Sequence, residues 1–126
     1  MPTKDKNTLR RNIRHSLIQV GVKCDIVAFN YICYGIELVI DDPRLATSLF
    51  DNVYSKIAEK FQAKSVSAVE RSIRSAIETL FNTKGFSQLN KMFGSELYSP
   101  YEKPTAGEFI SLMAEYHRIG LYKNNI

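Results

Sequence analysis

The sequence predicts an all-α domain of about six helices that contains a helix-turn-helix. Three observations carry this reading. Apolar residues recur at intervals of three and four in segment after segment, and no stretch makes a convincing strand by alternating with a period of two. Two S/T-x-x-E strings, Ser67-Ala-Val-Glu70 and Thr105-Ala-Gly-Glu108, stand where helices are expected to begin. The stretch from Ile57 to Phe81 reads as a short helix, a turn and a second helix, apolar on one side and carrying Arg71, Arg74 and Ser75 on the other.

Taken in order, residues 1–7 are polar and charged and are expected to form a flexible arm. Thr8 is placed to cap a helix reaching about Gln19. Leu9, Ile13, Leu17 and Val20 share one side of it and Arg10, Arg11 and Arg14 the other, and Gly21 fits its C-terminus. A solvated helix face is the ordinary use of such arginines, with phosphate contact the alternative. Asp25 is a plausible cap for a second helix ending at Val39 or Ile40. That segment is rich in Ile, Val, Phe and Tyr, so a strand competes, but its length and poor alternation favour a buried helix. Gly35 within it weakens helix propensity. Asp41-Asp42-Pro43 closes the segment as a turn, and adjacent aspartates before a proline fit a loop better than a catalytic pair.

From Leu45 to Phe61 the apolar residues Leu49, Val53, Ile57 and Phe61 recur every four positions, which predicts one helix. Ala58 is small where the two helices of a helix-turn-helix must approach closely, and Gln62 to Val66 supply the turn. A second helix follows from Ala68 to about Asn82, with Ser67 as cap and Glu70 reaching back to it. Val69, Ile73, Ala76, Ile77 and Leu80 form its inner face, and Arg71, Arg74, Ser75 and Glu78 point the other way. Gly85 is the expected stop signal after Thr83-Lys84. Ser87 to Phe93 reads as a short helix. Ser95 to Pro104 reads as a loop whose Tyr98 and Tyr101 pack across the surface. The Thr105 capping box opens a last helix with Phe109, Ile110, Met113, Tyr116 and Ile119. The domain is therefore expected to span residues 8–120, with a loose tail at 121–126.

Composition narrows the function classes. The chain has 126 residues, enough for one domain with a working core. Its net charge of +4 permits a polyanionic partner without demanding one, but the distribution is informative. Lys56 to Arg74 carries five basic residues against two acidic ones, whereas Asp25 to Tyr54 carries five acids and only Arg44. Cys24 and Cys33, in or beside an apolar run, are expected to be small buried thiols, not a disulfide framework, and His15 and His117 are too isolated for a zinc site. No metal or cofactor is expected. No apolar run approaches the length of a membrane span. Phosphate-binding glycine loops, nucleophile elbows and zinc-hydrolase signatures are all missing from the sequence, so no catalytic residues are assigned and an enzyme is not expected.

The order Ile57-Ala58-x-Lys60-Phe61 followed by Val69-Glu70-Arg71-x-Ile73-Arg74-x-Ala76-Ile77-Glu78 resembles the DNA-binding effector domain of the stage-zero sporulation master regulator. That family comprises response regulators of spore-forming Firmicutes. The likeness continues through Phe93-Gly94, Lys103-Pro104-Thr105, Glu108-Phe109-Ile110 and Met113-Ala114, and starts near Ile18-x-x-Gly21-Val22. The resemblance implies a six-helix fold that binds double-stranded DNA in the major groove, as head-to-tail dimers on tandem promoter boxes. Carried over by position, it makes Glu70, Arg71 and Arg74 the base-reading residues. Arginine can donate two bonds to guanine, and glutamate can accept from cytosine N4. Lys60, Lys64, Ser65, Ser67 and Ser75 are the expected phosphate contacts.

Against the family pattern the turn before Val69 is one residue longer, Ala68 stands where a basic residue is usual, and Ser55 where a proline is usual. The phosphate-accepting receiver domain of such regulators lies outside these 126 residues. This leaves an excised effector domain or a freestanding relative, and the divergence favours the latter. The expected function is a cytoplasmic, sequence-specific transcription regulator. The alternative is a protein-interaction module, an adaptor or antagonist acting on the full-length sporulation regulator or RNA polymerase.

Overall fold

A computed structural model describes residues 3–46, 50–83, 85–98 and 102–120. Six α-helices account for most of them: α1 (Thr3–Val20), α2 (Val27–Asp41), α3 (Phe50–Phe61), α4 (Val66–Asn82), α5 (Gly85–Phe93) and α6 (Ala106–Arg118). A short 3-10 helix, Pro43–Ala46, lies between α2 and α3, and there is no strand among the described residues. Leu49, Lys84, Pro100, Tyr101 and the tail at 121–126 lie outside the described residues.

The most apolar segment is the central helix. α2 packs against α1, α3, α4 and α6, and its Phe29, Ile32 and Ile36 are wholly buried. Gly35 is the position that lets these helices converge. A methyl group there would sit 3.3 Å from Ile110 Cδ1 and 3.4 Å from Ile57 Cδ1, so close packing against α3 and α6 offsets its weak helix propensity. The remaining helices contribute Ile13, Leu17, Ile57, Ile73, Leu89, Phe109, Met113 and Tyr116 to one continuous core.

Several boundaries differ from the expectation, each for a local reason. α1 begins at Thr3, so residues 3–7 extend the helix where a flexible arm was expected. Lys6 approaches Asp41 at 4.0 Å across to α2, a weak exposed pair, and straight-chain lysines suit a helix. Asp25 does not cap α2, whose N-cap is Ile26 with no side-chain bond. Leu45 and Ala46, expected at the front of one helix reaching Phe61, lie in the 3-10 segment, and α3 is described from Phe50. Asp42 accepts from the backbone N–H of Arg44 at 3.2 Å and from its Nε at 2.9 Å, which holds a tight turn into the 3-10 segment instead. That clamp also holds the Asp42 carboxyl below its usual range, the bond from Arg44 being the leading cause.

Gly85 does not end α4 but opens α5. The helix is instead closed by Thr83, whose Oγ1 donates to the carbonyls of Thr79 at 3.1 Å and Leu80 at 2.9 Å. Gly85 is needed for proximity: a Cβ there would fall 2.5 Å from Leu80 Cγ and 2.7 Å from its carbonyl oxygen. The loop after α5 is held by Asn90, whose Nδ2 donates to the Tyr98 carbonyl and whose Oδ1 accepts from Leu97 and Tyr98. Tyr98 packs edge-on against Phe81, as expected of a loop aromatic.

α6 is tied at both ends. Thr105 accepts from Glu108 N at 3.1 Å while Glu108 accepts from Thr105 N at 2.8 Å, so this capping box forms as the sequence predicts. At the other end His117 Nε2 lies 2.8 Å from Ser16 Oγ, and Ser16 in turn donates to Ile13 O. Burial pushes the His117 imidazole down to about 4. Arg118 Nη2 donates to Val39 O at 3.0 Å and its guanidinium also pairs with Glu115.

Candidate nucleic-acid interface

The helix-turn-helix consists of α3, a turn at residues 62–65 and α4. α3 ends in a Schellman arrangement: Ala63 N donates to Ala58 O at 2.9 Å and Gln62 N donates to Glu59 O at 3.4 Å. This requires a left-handed residue, and Gln62 supplies it at φ 53°, a conformation that favours glycine. Ala58 and Ala63 are partly buried against the core, so small side chains let the turn lie close to the domain.

The cap of α4 is Ser65, not Ser67. Ser65 has extended backbone and its Oγ accepts from Ala68 N at 3.0 Å, so the helix starts at Val66. Both serines could serve as caps. The Schellman stop leaves the chain ready to re-enter a helix soon after Gln62, and the earlier serine adds two helical residues. Ser67 and Ala68 therefore lie in the first turn, whose Val66 and Ser67 are exposed and whose first amides lack intrahelical acceptors. Such a start attracts an anion.

With the cap supplied by Ser65, Glu70 is free to take another partner. Its carboxylate holds Arg74 bidentately, Nη1 lying 2.8 Å from Oε1 and 3.0 Å from Oε2. The pair is exposed, with side-chain accessibilities of 53% for Arg74 and 34% for Glu70, so it stabilises the helix by only about 0.3–0.5 kcal/mol. The inner face of α4, namely Val69, Ile73, Ala76, Ile77, Leu80 and Phe81, is buried. Arg71, Arg74 and Ser75 are exposed, as are Lys64, Ser65 and Ser67 at its start.

Glu70 and Arg74 also line a groove of 730 Å³ that α4 shares with Tyr54 of α3 and the segment opening α6. Lys103 enters this groove and donates to Asn82 Oδ1 at 2.9 Å. Its place in the same groove as Arg74 has no signature in the sequence, because only the tertiary approach of α6 to α4 creates it. Ser75 faces another groove, shared with Ser72, Thr79 and the turn between α1 and α2. Lys60 is set apart from both. Its ammonium lies 5.1 Å from the centre of the Tyr34 ring, on the side of α3 that faces α2.

An exposed polar helix face on a core-locked helix-turn-helix, with an uncovered N-terminus and outward arginines, defines the class: a helix-turn-helix DNA-binding domain. The family described as "Sporulation initiation factor Spo0A C terminal" matches residues 11–117. The chain belongs to that family, whose members are DNA-binding transcription-activation domains and not enzymes. Among the described residues no helix is long and apolar enough to cross a membrane, and no group of three His, Cys, Asp or Glu side chains could hold a metal ion.

Proposed function

We propose that the chain is a sequence-specific, cytoplasmic transcription regulator that reads promoter boxes by laying α4 in the major groove. Arg71 and Arg74 donate to guanine O6 and N7, and Glu70 accepts from cytosine N4. Lys64, Ser65, Ser67, Ser75 and Lys60 contact phosphates and fix register. The observation that carries this reading is the outer face of α4. Arg71 and Arg74 project from a helix whose other side is locked into the core, so only their side chains remain to be ordered on binding.

The Glu70–Arg74 pair suits such a role. A bidentate arginine–guanine contact is worth about 1–3 kcal/mol of discrimination, more than the few tenths needed to loosen the pair. Ser65 keeps a hydroxyl hydrogen for a phosphate while its oxygen caps the helix. Lys60 must leave the Tyr34 ring to reach a phosphate, so it contributes less than Lys64. Two copies bind tandem boxes head to tail, and RNA polymerase or the full-length sporulation regulator is the protein partner on the promoter.

The test is fluorescence anisotropy on duplexes carrying the family's tandem boxes across a salt series. Wild-type binding is expected to weaken steeply with salt. Lys64→Ala should weaken all sequences alike and flatten the salt slope by about one unit, with a smaller change for Lys60→Ala. Binding that ignores salt and box alike would remove the proposal.

A further inference from the structure

A third concave surface lies away from the exposed face of α4. It is a groove of 330 Å³ between α1, α2 and the last turn of α3. Tyr34 and Phe61 form its wall, and Phe61 remains 37% exposed although it stacks near Tyr34 at a ring distance of 6.0 Å. Three cations border it, Arg10, Arg14 and Lys60, against one carboxylate, Glu37. Arg10 is committed to Glu37, with Nε and Nη2 both 3.0 Å from Oε1.

The excess charge therefore belongs to Arg14 and Lys60, and aromatic rings hold both in place. The Arg14 guanidinium lies 4.9 Å from the Phe29 ring centre and gives one donor to Asn30 Oδ1, while Lys60 lies over Tyr34. Neither forms an ion pair with a described residue. Two such cations flanking an apolar wall match a carboxylate that carries an apolar group beside it.

We propose that this groove docks an acidic polypeptide segment of a partner protein, with a carboxylate between Arg14 and Lys60 and a neighbouring aromatic or leucine side chain against Phe61 and Tyr34. Charge complementarity selects the occupant. DNA backbone fits less well, because the surface is concave, its wall is apolar and Glu37 stands in it. The groove is also separate from the base-reading one: Lys60 and Tyr54, which line the two, leave α3 about 120° apart around its axis. Lys60 and Phe61 lead directly into the Gln62 turn, so an occupant takes Lys60 from its lesser phosphate contact and bears on the end of the helix-turn-helix without covering Arg71 or Arg74.

The probe is a short fluorescein-labelled peptide of alternating Glu and Phe or Leu, with a Lys-for-Glu peptide as control. Amide shifts are followed by NMR on the whole chain. Saturable, salt-weakened binding of the acidic peptide is expected, with shifts centred on Tyr34 and Phe61. Arg14→Glu should weaken the peptide by about tenfold or more, and Arg71→Ala/Arg74→Ala should leave it bound. Duplex DNA binding by Arg14→Glu should stay within about twofold of wild type, since Arg14 is not among the DNA contacts. If Arg14→Glu fails to fold, Arg14→Gln serves with the same expected direction. Shifts that map to α4, binding no better than the control peptide, or an Arg14 variant that loses DNA and not peptide would each overturn the proposal. None of these outcomes depends on whether α4 reads the box.

Discussion

The helices α4 and α6 begin with the same sequence device and use it differently. Thr105-x-x-Glu108 closes into a reciprocal capping box, with both bonds made. Ser67-x-x-Glu70 does not, because Ser65 takes the cap and Glu70 turns forward to Arg74. α6 is then fixed at its far end by His117 on Ser16 and Arg118 on Val39. α4 is held along its inner face and by Lys103 on Asn82 at its end, while Arg71 and Arg74 stay on the surface. A carboxylate three residues after a serine or threonine near a helix start has two local uses. An arginine four residues on, together with an earlier cap, decides between them. In α6 the motif serves stability, whereas in α4 the same motif leaves a carboxylate and an arginine side by side on the outer face of the helix.

This contrast can be broken by substitution. The largest effect belongs to the outer face of α4: Arg71→Ala/Arg74→Ala should lose box preference by about 1–3 kcal/mol for each base contact, with thermal stability nearly unchanged. Competition binding with shuffled duplexes, beside a melting curve, checks both halves of that statement.

Acid should then separate the two helices. His117 is half-buried with its pKa depressed to about 4, while the unfolded chain protonates near 6.5. Between those values the unfolded state binds the extra proton. Stability is therefore full above about pH 6.5 and falls as the pH drops towards 4. Urea unfolding at several pH values should show this slope, and His117→Asn should flatten it while leaving neutral-pH box preference intact.

Smaller effects test the caps themselves. Thr105→Ala and Ser65→Ala should each destabilise by about 1 kcal/mol, and Ser67→Ala by no more than a few tenths, as for any exposed position. Equal losses at Ser65 and Ser67 would erase the distinction drawn between the two helix starts. The smallest change is a gain. Gln62→Gly should stabilise by about 0.5–1 kcal/mol, because glycine accepts the left-handed turn that glutamine adopts at φ 53°.

The periodic apolar faces of α4 and α6 were legible in the sequence because helix packing repeats every three or four residues, and Thr105-x-x-Glu108 was legible because both its bonds are local. The choice between Ser65 and Ser67 was not, since each serine is a good cap and the end of α3 decides where the next helix starts. Gly85 looks like a stop in sequence. Its real constraint is contact with Leu80, seen only once α5 folds back on α4. Lys60 shows as one more basic residue near the turn, but only the packing of α2 against α3 puts Tyr34 beneath it. The contact of Lys103 with α4 is hidden for the same reason, since it lies 21 residues from the Asn82 side chain it donates to.

On the function proposed, the outer face of α4 reads bases. The most direct measurement is a base-by-base substitution scan of one promoter box, bound in turn by wild type, Arg71→Ala and Arg74→Ala at a fixed salt concentration. Each alanine variant is predicted to become indifferent to one G·C pair while keeping the wild-type response at the others. A uniform loss of affinity at every position, with the base preferences unchanged, would contradict it.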